Sequence, residues 1–91
     1  MNQDIRISTG YPDHPKIRKL RRILGGDGIT SHVFLLCYAG KYAFDGKLKD
    51  MDVANIEEVA SWRGEPGLFV RTCVDLRLLD NDPDCYSIHS W

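Results

Sequence analysis

The stretch Asp52–Leu76, DVANIEEVASWRGEPGLFVRTCVDL, decides the fold. Val53, Ile56, Val59 and Ala60 recur at helical spacing behind Asp52, a good N-cap residue, which predicts a helix over 52–62. Gly64 breaks it. Glu65-Pro66 opens a second predicted helix over 66–76, with Phe69, Cys73 and Leu76 at i, i+4 and i+7. Two short amphipathic helices joined through Arg63-Gly64-Glu65 read as a helix-turn-helix pair.

On the C-terminal side, Leu78-Leu79 reads as a strand and Asn81-Asp82-Pro83-Asp84 as a dense turn signal. Tyr86-Ser87-Ile88-His89 alternates again, so the tail is a predicted β-hairpin with a four- to six-residue tip. On the N-terminal side, Asp45-Gly46 marks a turn and Lys47-Leu48-Lys49 a short strand expected to pair with the hairpin. Before it lies a predicted helix over 29–43, capped near Asp27 or Gly28. Its run Val33–Tyr38 leaves almost no polar side, the mark of a central, buried helix. A first helix is predicted over 14–24, with Asp13 as cap and Pro15 in its first turn; Gly25-Gly26 ends it. Its apolar stripe is Ile17, Leu20 and Leu24, with Ile23 beside them. Residues 1–12 are an N-terminal arm with a short strand expected at 5–8. The expected fold class is therefore mainly α with a small β-hairpin (α+β). It is a winged helix-turn-helix domain over residues 13–91 with one extra N-terminal helix.

The chain has 91 residues, enough for one domain with a small core but hardly for a core plus a deep pocket. With 43% hydrophobic and 27% charged residues the composition is globular rather than disordered. The longest apolar run, Val33–Ala39, is far too short to span a bilayer, and residues 1–10 carry no apolar signal segment. Cys37, Cys73 and Cys85 form neither a CxxC pair nor a disulfide framework, so a cytoplasmic location is expected. Cys37 and Cys73 read as small buried hydrophobes, Cys85 as more exposed.

Net charge is −1, but it is unevenly distributed. Residues 1–26 hold six Lys/Arg against two Asp; residues 27–91 hold six against eleven Asp/Glu. Lys16, Arg18, Lys19, Arg21 and Arg22 cluster on the first helix, either as contacts to nucleic-acid phosphates or as a solvated face. In the helix-turn-helix, Arg63 is placed to meet a phosphate, Arg71 a guanine edge, and Thr72 the groove. Glu65 and Asp75 would share that face. The hairpin tip carries Asp80, Asp82 and Asp84, with no Lys or Arg over 78–91, which disfavours a phosphate backbone there.

Nothing points to catalysis, to a cofactor or to a small-molecule substrate. His14, His32 and His89 lack metal-ligand spacing, and His14 and His89 read as structural hydrogen-bonding groups. Gly25-Gly26-Asp27-Gly28 follows a helix and lacks the phosphate-loop pattern. Trp62 and Trp91 read as packing groups, with base stacking as the alternative.

Four motifs occur in order over about residues 5–91: His14-Pro15-Lys16 with Lys19-Leu20 and Leu24-Gly25; Asp45-Gly46 with Leu48; Trp62-Arg63-Gly64-Glu65-Pro66-Gly67; and Leu79-Asp80 with Tyr86, Ile88-His89 and Trp91. Together they resemble the N-terminal domains of replisome-organiser and replication-initiation proteins of bacteriophages and prophages. Three departures stand out: Arg77 replaces a family Gly, Ser90 replaces an acidic residue, and the family continues past the position of Trp91. The resemblance implies the N-terminal part of a longer replication protein, or a stand-alone reduced member, in a bacterial host cytoplasm. The expected function is non-enzymatic DNA binding. The alternative is a protein-interaction or oligomerisation module, whose partners would be replication proteins or a second copy.

Overall fold

One glycine shapes the longest helix. The computed structural model describes residues 7–91, and α1 (Pro15–Tyr42) runs through both of the first two predicted helices. Within α1 only Gly25 leaves helical geometry, at φ 71 and ψ −164. That combination is essentially confined to glycine. The break expected at Gly25 is therefore real but one residue long: the helix resumes at Gly26, and neither Asp27 nor Gly28 caps it. Nor does Asp13 cap the start. It ends a 3-10 turn, Tyr11–Asp13, and His14 takes the N-cap place, its Nδ1 accepting the Lys16 N–H at 3.2 Å.

The kink makes a testable demand on Gly25. A Cβ there would meet no atom within 4 Å, so Gly25→Ala carries a purely conformational cost. The expected loss of stability is about 2 kcal/mol by urea unfolding; a loss under about 0.5 kcal/mol would show that the kinked path is not required.

Beyond α1 the Asp45-Gly46 turn forms as expected. Asp45 Oδ1 accepts the Lys47 N–H at 3.0 Å, and this bond, with the nearby lysines, holds the carboxyl below its usual range. The turn leads into β1 (Lys47–Leu48). Next come α2 (Val53–Val59) and α3 (Leu68–Asp75), both shorter than the spacing predicts. Asp52 caps α2 in a reciprocal box: its carboxylate accepts the Asn55 N–H at 2.8 Å, and Asn55 Oδ1 accepts the Asp52 N–H at 3.2 Å.

Both helices close in the same way, α2 short of its expected end and α3 at it. Ser61 and Arg77 adopt left-handed backbone, φ 56 and 58. Ser61 N–H then bonds Glu58 O (3.0 Å) and Trp62 N–H bonds Glu57 O (2.9 Å). At the end of α3, Arg77 N–H bonds Val74 O (3.1 Å) and Leu78 N–H bonds Cys73 O (2.8 Å). These are paired Schellman closures. Arg77 thus adopts a left-handed conformation that glycine takes at lower cost. Gly67, at φ 85, turns the chain before α3, so that helix begins at Leu68 and not at Pro66.

β2 (Leu79–Asn81) and β3 (Tyr86–Ile88) form an antiparallel hairpin with a four-residue tip, 82–85. β1 adds antiparallel to the other side of β3, giving sheet order β1-β3-β2. Among the described residues the fold is mainly helical, with three α-helices and a small three-stranded antiparallel sheet. The strand expected at 5–8 falls partly outside the described residues; Ile7 and Ser8 are not in a strand.

The core gathers Leu20, Leu35 and Ala39 of α1, Leu48, Ile56, Phe69, Cys73, Leu79 and Ile88. Trp62 stacks on Phe69 at 5.8 Å between ring centroids and donates its Nε1–H to Glu65 O at 2.9 Å. Three burial expectations fail. Ile23 is exposed, Cys37 is exposed, and the second half of α1 is not central. It buries one stripe, through His32, Leu35 and Ala39, and leaves Phe34 and Tyr42 in solvent. An all-apolar helix is sunk only if elements cover every side, and this short chain has too few.

Candidate nucleic-acid interface

The basic cluster sits on the first half of α1, opposite the stripe of Ile17 and Leu20 that enters the core. Arg18, Lys19, Arg21 and Arg22 are exposed. Among the described residues none of them takes part in an ion pair. Lys16 is half-buried, and its ammonium donates to the backbone oxygen of Arg77 at 3.0 Å. A cation is favoured against the carbonyls that close a helix. This contact ties the start of α1 to the end of α3 and brings Arg77, also exposed, beside the cluster. Sequence reading missed Arg77, because its neighbours in the chain say nothing of α1.

The helix-turn-helix residues fare differently. Arg63 and Arg71 are exposed. A guanidinium nitrogen of Arg71 lies 3.7 Å from the Glu65 carboxylate, with both side chains about two-thirds exposed; such a pair is worth little and yields readily to a stronger anion. Thr72 is a correction: it is buried, with 5% of its surface exposed, so it cannot approach a groove. It lies on the core side of α3, between Phe69 and Cys73. The outward face of α3 lines a shallow groove of about 270 Å³ between α2 and the hairpin, with Arg71 opposed by Asp75. The hairpin tip is acidic: Asp82 and Asp84 are exposed, and Asp82 Oδ2 accepts the Ser87 hydroxyl at 2.8 Å.

What holds α3 in place is Glu57, which sequence reading passed over. It is buried in α2, and its two oxygens accept the N–H groups of Gly67 (2.8 Å) and Val70 (3.2 Å). These are donors that the start of a helix leaves without intrahelical partners. The available signal was the absence of any capping side chain before α3, where the residues are Pro66 and Gly67.

A second concavity, about 390 Å³ and mostly apolar, collects all three histidines with Tyr11, Ile17 and Leu78. Each histidine has a structural partner at Nδ1. His14 caps α1, and His89 lies 3.0 Å from the Asp80 carboxylate. His32 meets the Tyr11 hydroxyl at 2.6 Å, the rings stacked at 5.7 Å. Burial pushes His32 down to about 4 and the Tyr11 phenol up to about 12. With both neutral, the phenol and Nδ1 share one hydrogen bond, whose donor is set by the imidazole tautomer. Burial, reinforced by the Glu57 carboxylate, likewise pushes the Cys73 thiol up to about 12, far from a reactive thiolate.

Among the described residues, no cluster of three His, Cys, Asp or Glu side chains could hold a metal ion, and no helix is long and apolar enough to cross a membrane. Comparison with protein-family models, with curated proteins and with solved structures found no match to this chain.

Proposed function

We propose that this domain is a DNA-binding module of winged helix-turn-helix type, and that it serves a phage or prophage replication protein in the bacterial cytoplasm. The observation that carries the reading is the exposed set Arg18, Lys19, Arg21 and Arg22, which no acidic side chain among the described residues neutralises by an ion pair. The order α2, tight turn, α3, hairpin, with β1 as the third strand, supports the fold assignment. In this reading α1 positions the domain on phosphates, Arg77 extends that contact, and Arg63 and Arg71 approach the duplex. The replication context rests on the four motifs alone.

Fluorescence anisotropy of a labelled duplex tests it. Four phosphate contacts give a log–log salt slope near −3.6, so affinity should fall about a hundredfold from 50 to 200 mM salt. Lys19→Glu/Arg22→Glu should abolish binding without unfolding the protein. The acidic tip with no Lys or Arg over 78–91 favours a second reading, a module that docks on a basic protein. A folded protein with no duplex affinity at low salt would transfer the assignment to that reading.

A further inference from the structure

A row of rings runs along the second half of α1 and just past its end; Tyr38 is half-buried and packs against the core, and the others face solvent. Phe34, Tyr38 and Tyr42 fall at i, i+4 and i+8, and Phe44 continues the row past the helix end. Phe34, Tyr42 and Phe44 are 46%, 65% and 58% exposed. Tyr38 and Tyr42 lie 5.0 Å apart between centroids, and Lys41 Nζ stands 5.2 Å from the Tyr42 ring centre. The last rings open onto a concavity of about 420 Å³ that Lys47 and Lys49 also line.

We propose that this row is a binding site for single-stranded nucleic acid, separate from the basic face of α1. Bases stack on Tyr38, Tyr42 and Phe44, while Lys41, Lys47 and Lys49 meet the phosphates. Ring faces interleaved with cations suit a flexible polyanion that offers a π-face at every residue. A second copy of the chain fits less well, because two-fold pairing of this surface would set its own lysines against one another. Of the acidic groups nearby, Asp45 is engaged by the Lys47 N–H and lies 3.9 Å from Lys49 Nζ. Asp50, Asp82 and Asp84 share an adjacent concavity with Lys47 and Lys49, so the strand runs along the α1 side, away from the hairpin tip.

Labelled oligo(dT) titrated by anisotropy decides it, with the labelled duplex in parallel. Tyr42→Ala/Phe44→Ala removes two exposed rings and spares the core; single-strand affinity should drop at least about tenfold while duplex affinity holds. Lys41→Glu/Lys47→Glu should act in the same direction and steepen no duplex loss. Lys19→Glu/Arg22→Glu should do the reverse, so failure here and failure of the duplex reading are separable. Oligo(dT) binding that is absent at low salt, or unchanged in the ring variant, overturns the proposal. So does self-association by sedimentation velocity that the ring variant abolishes, which would assign the surface to a second copy.

Discussion

Replacing Glu57 by leucine should cost the protein about 3 kcal/mol. The carboxylate takes two charge-assisted hydrogen bonds from the start of α3, at 2.8 and 3.2 Å, from a buried position. Such bonds are individually worth about 1.5–3 kcal/mol, and the helix N-terminus adds attraction for a negative charge. The desolvation of the carboxylate offsets part of this sum. Leucine fills the space but leaves two amide donors at the turn without acceptors. Glu57→Gln should fall between the two, since its NH2 group would face one of the N–H donors. The measurement is urea unfolding, or a melting temperature lowered by about 15 °C for a domain this size. A loss under about 1 kcal/mol for the leucine variant would show that Glu57 does not hold the α2–α3 geometry.

The second large effect is on pH dependence. Buried His32, held at about 4, ordinarily titrates near 6.5. Between those values the unfolded chain binds a proton that the folded chain refuses. Stability is therefore full above about pH 6.5 and is lost as pH falls toward 4, then changes no further from this group. The full amount is about 3 kcal/mol, and about 2 kcal/mol is already gone at pH 5. His32→Gln should be less stable at pH 7, having lost the ring stacked on Tyr11, yet show a slope flatter by about 2 kcal/mol between pH 7 and 5. Carboxylates titrate in both proteins and cancel in the comparison. Equal slopes would exclude His32 as the group responsible.

Much of the architecture was legible because it rests on local rules. Asp52 caps α2, Asp45-Gly46 turns the chain, the hairpin closes over four residues, and β1 joins it. Whereas β1 pairs Lys47 with the distant Ser87, the first three depend on residues close in sequence. The same holds for the exposed basic face, since Ile17 and Leu20 orient the first half of α1 by their spacing. The errors came where a partner is distant. Thr72 points into the core because α3 packs against both α1 and β2.

By itself, then, the sequence determined the element order from β1 onward, the α+β class and the presence of a cationic helix, since periodicity, caps and turn residues act within a few positions. Only the tertiary structure decided which apolar faces stay in water. It also decided that Lys16 clips α1 to the carbonyl of Arg77 and that Glu57 serves as the cap of a helix ten residues away. Those outcomes depend on which surfaces meet, and a chain of this length lacks the elements to cover every apolar face it carries.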